Sequence, residues 1–484
     1  MNFTMPVINL QVIYPHIVLV LFASVVLLLP LFFHSIKREL LAVISVLGIV
    51  IAFFLIMNHW NSGQTAFNGM LRLDNFAIAF SIIFLLGGLM AVLLSLNHVE
   101  EEYLSYGDFY GLVLFALVGM MLMASSTNLL IIFLGLEVLS ISLYVLAGIR
   151  KMRVDSVEAS LKYFLLGAFA TSFFLYGVAL VYGATASIDL LDIARYISAN
   201  GFSGILLVAG SLFLVVGFSF KAAFVPFHMW TPDVYQGAPT PVTAFMSSGA
   251  KGAALAALLR VLVMGVPISR GDWQVILWVI AALTMTVGNV VAIAQSNVKR
   301  MLAYSSIAHA GYLLIGVLAG NSLGQAGVLF YLVVYTFMNL GAFGVISYFG
   351  ASNKQENLNL EDYRGLGYQY PFAGLAMVVF MFSLAGVPPT GGFVGKFYLF
   401  NAGIQAGYLW LVIIGVLNSV ISAFYYLRVV VNLYMREPEH KVAVPRAHLG
   451  LSFALLVAML AVLQTGIMPS RLFTLFQHSV IALH

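Results

Sequence analysis

Apolar residues fill long, continuous runs along this chain, and polar residues are confined to short stretches between them. An α-helix that crosses a bilayer needs about 20 mostly apolar residues, whereas a transmembrane β-barrel shows alternating segments of about ten. The pattern therefore predicts an all-α, polytopic membrane protein with about 14 transmembrane helices. These fourteen runs lie near 12–33, 40–57, 75–96, 109–126, 129–149, 160–183, 204–227, 240–264, 273–294, 301–319, 325–349, 372–402, 408–434 and 449–468.

Composition narrows the class of protein further. Of the 484 residues 62% are hydrophobic and 8% are charged, against about 25% charged in a typical soluble domain. The longest hydrophilic stretches, near 350–370 and 435–448, are loop-sized, so a dehydrogenase domain would have to lie on another polypeptide. The absence of cysteine excludes disulfides and thiolate-bound clusters. A net charge of +4 is too small an excess to indicate nucleic-acid binding.

Basic residues predict the orientation of the spans. The N-terminus lacks the basic region and cleavage site of a signal peptide, so the first run is expected to remain as a helix. With both termini on the outer side, twelve basic residues fall in inner connections and about five in or near outer ones, as the positive-inside rule requires. The inner set is Lys37, Arg38, Arg150, Lys151, Arg153, Lys299, Arg300, Lys354, Arg364, Arg436, Lys441 and Arg446; the outer set is Arg72, Arg195, Arg260, Arg270 and Arg471.

Five charged residues lie inside the apolar runs rather than at their ends. They are Glu137, Lys162, Lys221, Lys251 and Lys396. Each costs about 2.5–3.5 kcal/mol at a helix centre on the insertion scale, so unpaired charges of this kind indicate function. Lys162 also allows a structural interpretation, because Glu158 precedes it by one helical turn and can form an ion pair with it.

Two of the runs are interrupted by proline. The seventh carries Pro226, and the twelfth carries Pro388 and Pro389 beside two glycines. Proline breaks helical hydrogen bonding, and paired interruptions of this kind are typical of transporters built from repeats, with the ion path at the breaks. The breaks are five helices apart, which predicts two inverted five-helix repeats. The expected division is 1–108 (helices 1–3), 109–264 (helices 4–8), 265–434 (helices 9–13) and 435–484 (a loop and helix 14).

Lysine suits proton transfer at such sites. Burial favours the neutral amine, while a nearby carboxylate such as Glu137 opposes that effect, so movement of either charge can load or unload the lysine. His228 and His309 are further candidate relays because imidazole titrates near neutral pH, and Glu158 is another possible relay. A lone histidine in a membrane protein is equally a hydrogen-bonded structural residue, and both interpretations remain open.

Several stretches that contain these residues are similar to a known family. They are FLGLEVLSISLYVLAG, EASLKYFLLGAFATSFFLYG, KAAFVPFHMWTPDVYQGAPTPVTAFMSSGAK, NVKRMLAYSSIAHAGYLL and SLAGVPPTGGFVGKFYLF. From about Asp74 to Tyr434 the chain resembles the antiporter-like membrane subunits of bacterial respiratory complex I, the proton-pumping NADH:quinone oxidoreductase. The segment WTPDVYQGAPTPV and the chain length favour subunit N over the related subunits L and M.

The resemblance implies a function and a set of proton-path residues. A pair formed by Glu137 and Lys221 would gate one half-channel, Lys251 would connect the halves, and Lys396 would serve the exit side. Lys162 matches a further family lysine, and His228 and His309 stand where the family often has histidines. The resemblance implies no cofactor on this chain, with flavin, iron–sulfur clusters and quinone on partner subunits.

The resemblance also implies partners and a location. The partners would be other membrane-arm subunits, including a second antiporter-like subunit and small membrane subunits, together with the lipid of the bacterial inner membrane; no nucleic acid is expected. Two alternatives remain: a subunit of a multisubunit cation/proton antiporter that works without redox chemistry, and a structural scaffold whose buried charges only hold helices together.

Overall fold

The computed structural model describes residues 9–33, 36–96, 106–266, 272–350, 358–438, 444 and 448–481. Within these ranges, thirteen helices are long and apolar enough to cross a membrane. The predicted twelfth span is instead a pair of shorter helices on either side of Pro388 and Pro389. The all-α prediction is therefore confirmed, with one short antiparallel hairpin as its exception in the part of the chain that is described.

The N-terminal part contains three helices and that hairpin. The helices are α1 (Leu10–Phe32), α2 (Arg38–Met57) and α3 (Asn75–Ser95), and the strands β1 (Gln64–Ala66) and β2 (Leu71–Leu73) lie between α2 and α3. Helix α3 is buried along most of its length, whereas α1 and α2 bury one side only.

The next helices contain the first break. They are α4 (Tyr106–Ser125), α5 (Leu129–Ala147), α6 (Val154–Thr185), the short α7 (Leu190–Asn200), α8 (Ile205–Ala222), α9 (Thr231–Gly237), α10 (Thr240–Phe245) and α11 (Lys251–Arg260). π-Helical turns at Met246–Ala250 and Val261–Gly265 make α10 and α11 parts of one continuous, fully buried span.

The remaining helices contain the second break. They are α12 (Asp272–Ile293), α13 (Val298–Ala319), α14 (Ser322–Tyr348), α15 (Leu366–Gln369), α16 (Pro371–Ala385), α17 (Gly391–Gln405), α18 (Leu409–Met435), α19 (Leu449–Ile467) and α20 (Pro469–Gln477), with a 3₁₀ turn at Leu360–Tyr363. Helices α13 and α14 are buried over nearly their whole surface and form the centre of the bundle.

The two groups of helices repeat one backbone arrangement. In each group a pair of backbone hydrogen bonds joins the start of the second helix, α5 or α13, to the start of a short helical segment. That segment is α7 in the first group and the 3₁₀ turn Leu360–Tyr363 in the second. The bonded residues are Leu129–Ile188 and Leu190–Thr127 in the first group, and Val298–Leu358 and Leu360–Ser296 in the second. This repetition supports the division into units 109–264 and 265–434, which stays a proposal.

Close contacts between helices follow the same repetition. Gly119 of α4 lies so near α5 that a Cβ atom would be 2.6 Å from the Gly135 carbonyl, and Gly288 of α12 lies equally near α13, with a Cβ 2.7 Å from the Ala308 nitrogen. Only glycine permits such backbone contact. Both units therefore begin with a tightly packed pair of helices, and the second helix of each pair carries residues of the candidate site.

A buried ion pair joins α3 to α11. Arg260 is wholly buried and donates to both oxygens of Asp74, at 2.8 and 2.9 Å, and to the Ala124 carbonyl at 2.9 Å. Burial by itself would raise the pKa of Asp74, but the charge and hydrogen bonds of Arg260 lower it below its usual value. The carboxylate thus stays ionised and neutralises a guanidinium that has no access to water.

We expect Asp74→Asn to destabilise the protein strongly. Removing one partner of a buried pair leaves an uncompensated charge and costs about 3–5 kcal/mol. The measurement is the thermal unfolding midpoint of the detergent-solubilised protein. The matched control is Asp192→Asn, since Asp192 pairs with the exposed Arg195 and such pairs contribute about 1 kcal/mol or less. Equal midpoints for the two variants would contradict the assignment.

Candidate proton path

The first broken helix ends in a tight backbone turn. Ala223, directly after α8, adopts the left-handed conformation with φ 61°, and the Phe224 N–H bonds back to the Ser219 carbonyl at 2.8 Å. The next free N–H, that of Val225, donates to Thr284 Oγ1 at 2.9 Å. This is the pattern of a Schellman helix end, and it leaves the last carbonyls of α8 inside the bundle.

Lys221 lies in the last turn of α8 and is 2% exposed. Its Nζ donates to Ser140 Oγ at 2.9 Å and to the Tyr163 hydroxyl at 3.0 Å, and it lies 5.0 Å from the centre of the Tyr163 ring. The negative end of the helix dipole favours a cation at this position. The lysine is thus held by neutral oxygens, an aromatic ring and a helix end.

Glu137 lies near Lys221 without direct contact. It precedes Ser140 by three residues on α5, so both side chains project from the same face of the helix. Glu137 Oε1 is buried and has no hydrogen-bond partner in the described residues, although its charge is close enough to act on Lys221. The predicted Glu–Lys pair is therefore open in this structure.

Lys251 lies at the centre of the bundle, directly after the π-helical turn Met246–Ala250. It is 2% exposed, its Nζ donates to Ser306 Oγ at 2.5 Å, and the Tyr235 ring centre is 5.8 Å away. A π-turn widens the helix locally and is frequent at functional sites. Through Ser306, a residue of α13, Lys251 connects the two units.

The second broken helix repeats the backbone turn of the first. Gly386, directly after α16, is left-handed with φ 87°, and the Val387 N–H bonds back to the Phe382 carbonyl at 2.9 Å. The first helix after the break begins close by, since the Gly392 N–H donates to Ser383 Oγ at 3.1 Å. The two breaks thus share one geometry.

Lys396 follows its break but reaches back across it. Its Nζ donates to the carbonyls of Leu384 and Ala385 at 3.0 and 3.1 Å, and to Ser419 Oγ at 2.9 Å. Leu384 precedes the left-handed residue by two positions, as Lys221 does in the first unit. Both units therefore place one ammonium group at the end of the broken helix, although the two lysines lie on opposite sides of their breaks.

Equivalent positions in the two units carry different polar groups. Ser140 and His309 are each twelve residues after the N-cap of α5 and α13. Tyr163 and Tyr331 are each ten residues after the N-cap of α6 and α14. In the first unit the serine and tyrosine hold Lys221. In the second, the His309 ring bonds directly to Tyr331.

His309 is 1% exposed and uses both ring nitrogens. Nδ1 bonds to the Tyr331 hydroxyl, and Nε2 bonds to the Tyr426 hydroxyl at 2.9 Å. Tyr426 in turn bonds to Ser305, the neighbour of the serine that holds Lys251. The His309 ring and the hydroxyl groups bonded to it therefore lie between Lys251 and the second break.

A second row of polar groups leads to Lys396. The ammonium lies 4.9 Å from the centre of the Tyr312 ring. The Tyr312 hydroxyl accepts from Asn289 Nδ2 at 3.0 Å, and the Tyr425 hydroxyl donates to Asn289 Oδ1 at 2.8 Å. Tyr425 and Tyr426 are adjacent on α18, so the two rows meet there.

The other two candidate residues, His228 and Lys162, are more exposed than the three buried lysines. His228 lies just after the first break and is 8% exposed. Its Nδ1 is buried and has no hydrogen-bond partner in the described residues. Lys162 has a side chain 41% exposed and forms ion pairs with Glu158 at 2.7 Å and Asp233 at 2.8 Å.

Sequence reasoning named the charged groups but missed most of their partners. Ser140, Tyr163, Ser306 and Ser419 contact lysine ammonium groups, and Asp233 was not a candidate. Only Ser140 had a usable signal, its helical spacing from Glu137. No group of three or more His, Cys, Asp or Glu residues that could hold a metal occurs among the described residues.

We expect Gly392→Ala to disrupt the second break. A Cβ atom at this position would lie 1.9 Å from the Ser383 carbonyl, so α16 and α17 would have to separate. The measurement is the amount of assembled complex in membranes together with its thermal midpoint. The control is Gly183→Ala in α6, where a Cβ has no atom within 4 Å and alanine favours the helix by up to about 1 kcal/mol. A neutral Gly392→Ala would contradict this packing.

Comparison with known proteins identifies the family of this chain. The model of the family described as NADH:quinone oxidoreductase/Mrp antiporter, TM, matches residues 126–422. The chain is 50% identical to NADH-quinone oxidoreductase subunit N of Trichlorobacter lovleyi, over 98% of this chain and 97% of that protein. It is 44% identical to the subunit N of Chloroflexus aggregans, over 100% and 99%.

Solved structures share the fold. A chain of respiratory complex I from Thermus thermophilus is 38% identical and superposes with a TM-score of 0.82, over 95% of this chain and 98% of that chain. A chain of the Mrp complex from Dietzia sp. superposes with a TM-score of 0.83 over 98% and 97%, and at 20% identity it shows likeness of fold alone. By sequence and by fold, this chain belongs to the NADH-quinone oxidoreductase subunit N family.

Proposed function

We propose that this chain carries protons across the bacterial inner membrane as a membrane-arm subunit of a proton-translocating NADH:quinone oxidoreductase. NADH oxidation and quinone reduction occur on partner subunits, which hold the flavin, the iron–sulfur clusters and the quinone. The observation that carries the proposal is the presence of three buried ammonium groups, those of Lys221, Lys251 and Lys396. Among the described residues, no carboxylate is in direct contact with any of the three.

The path begins at the first break and ends at the second. Glu137 and Lys221 exchange charge at the first, because the buried carboxylate oxygen has no hydrogen-bond partner in the described residues and the ammonium is held by neutral hydroxyl groups. Lys251 receives the proton at the centre, and His309 with its tyrosine partners relays it towards Lys396. His228 is a relay of less central position, and Lys162 contributes by positioning rather than by carrying protons.

Buried polar atoms without partners support a water-filled path. In the described part of the bundle, hydroxyl or amide oxygens of Thr231, Thr240, Ser248 and Asn339 are buried and lack a hydrogen-bond partner. Such groups are the usual sites of ordered internal water. Water at these positions would join side chains that are too far apart to exchange protons directly.

The proposal includes partners and orientation. Other membrane-arm subunits, among them a second antiporter-like subunit and small membrane subunits, adjoin this chain in the bilayer, and both termini lie on the periplasmic side. The excess of basic residues on the inner connections supports the orientation. Of the residues in that count, Arg270, Lys354, Lys441 and Arg446 lie outside the described residues.

The alternative is a cation/proton antiporter without redox chemistry. Likeness to the Mrp complex is limited to the fold, whereas relatives at 44–50% identity over nearly the whole chain are named as oxidoreductase subunits. Sodium-dependent pH gradients in vesicles without NADH dehydrogenase would favour the antiporter.

We expect Lys221→Ala to lower NADH-driven proton translocation at least about tenfold, because a positioned proton-transfer group contributes on the order of 10²–10⁴-fold to its step. Glu137→Ala should act in the same direction. The measurement is dye-quench detection of pumping in membrane vesicles, divided by NADH oxidation with a soluble electron acceptor. Electron transfer to that acceptor should change little.

The matched control is Lys151→Ala, an exposed lysine in the loop between α5 and α6. It removes the same charge from the surface and should leave pumping unchanged. If both buried variants pumped normally per assembled complex, the assigned path would be wrong. If they only reduced assembly, the charges would serve as a structural scaffold.

A further inference from the structure

The short helix α9 touches the surroundings of two proton-path lysines at once. Trp230, its N-cap residue, stacks on Tyr163 with ring centres 4.4 Å apart and planes 9° from parallel, and Tyr163 bonds to Lys221. Further along, Tyr235 presents its ring to Lys251. Helix α9 therefore contacts a hydrogen-bond partner of Lys221 through Trp230 and the ammonium group of Lys251 through Tyr235.

Contacts with α6 and α8 hold α9 as one packed unit. Gly237 lies so close to α6 that a Cβ atom would be 2.4 Å from the Asp155 carbonyl and 2.8 Å from Ala159 Cβ. The Trp230 indole N–H also donates to the Phe220 carbonyl at 3.0 Å, across the break. Non-helical residues precede and follow α9.

Charged groups from both units fix the position of α9. Asp233 accepts from Lys162 of α6 at 2.8 Å and from Arg300 of α13 at 2.6 Å. Arg300 also donates to Gln236 at 3.0 Å, and the wholly buried Lys299 donates to the Ala238 carbonyl at the end of α9 at 2.7 Å. We call Lys162, Asp233 and Arg300 the α9 clamp.

The chemistry of the clamp suits a reversible contact. Burial alone would raise the pKa of Asp233, but its hydrogen bonds from Lys162 and Arg300 lower it, so the carboxylate remains charged. The three side chains are about one third exposed. Partly exposed ion pairs are weak individually, so water can replace them at small cost when α9 moves.

We propose that α9 is a lever that couples the surroundings of Lys221 and Lys251, and that the α9 clamp sets its position. Lys162, Asp233 and Arg300 are then positioning residues, which act on the path through Trp230, Tyr163 and Tyr235. This inference rests on the proposed function, because coupling has meaning only if Lys221 and Lys251 exchange protons in turn.

The first test is Asp233→Asn, which keeps the shape of the side chain and removes its charge. We expect protons translocated per NADH to fall at least about fivefold, the lower end of coupling between two sites, while electron transfer to a soluble acceptor is unchanged. Asp233→Glu should restore most of the pumping. Asp192→Asn, the same change in an exposed pair on α7, should have no effect. Normal pumping per assembled complex in Asp233→Asn would overturn the proposal.

The second test asks whether α9 must move. The chain has no cysteine, so Gln236→Cys with Arg300→Cys can be joined by a short bis-methanethiosulfonate linker and released with dithiothreitol. Arg300 belongs to the α9 clamp, so the unlinked double variant, which should already pump less than the unaltered protein, is the reference. Linkage should lower pumping further below that reference, and reduction should restore it to the reference level. The control is Thr65→Cys with Arg72→Cys, a cross-strand pair of the β1–β2 hairpin, whose linkage should leave pumping unchanged.

The two proposals fail in different ways. Lys221→Ala is measured in the same membranes. If it abolishes pumping while the linked α9 pumps normally, the lever is wrong and the proton path stands. If Lys221→Ala pumps normally, the proton path itself is wrong and the lever falls with it.

Discussion

The structure depends on how ammonium groups are kept in a bilayer interior without carboxylates in contact with them. A charged side chain there costs several kcal/mol unless other groups replace water. In this protein the replacement comes from broken helices, whose last carbonyls and negative dipole end lie inside the bundle, and from serine and tyrosine oxygens. Neutral partners stabilise the cation only moderately, so the proton remains transferable.

The same backbone arrangement surrounds both helix breaks but holds different polar side chains at each. The backbone of both breaks is the same, with a left-handed residue and a Schellman turn. What differs is the side chain at each equivalent position. Ser140 of the first unit corresponds to His309 of the second. Lys221 corresponds to Leu384, whose carbonyl accepts a hydrogen bond from Lys396 on the other side of the break. The two breaks share one backbone geometry, and a few side chains make their surroundings chemically different. Lys251, bonded to Ser306 of the other unit, connects them.

Much of the fold could be predicted from the apolar runs, since their length alone sets the number of crossings. The breaks were also predictable, because Pro226 and Pro389 interrupt otherwise continuous spans. The partners of the lysines could not be predicted. Tyr163 and Ser306 are ordinary residues of apolar helices, and only tertiary packing brings them to Lys221 and Lys251. The same holds for Asp233, whose two ion-pair partners are 71 and 67 residues away in sequence.

The most direct test of the central claim is a structure of the intact complex at a resolution that reveals ordered water. The account predicts water between Glu137 and Lys221 and beside the unpartnered buried oxygens of Thr231, Thr240 and Ser248, with the three ammonium groups bonded as described. Closely packed apolar side chains in those places, with no water between Lys221 and Lys251, would contradict it.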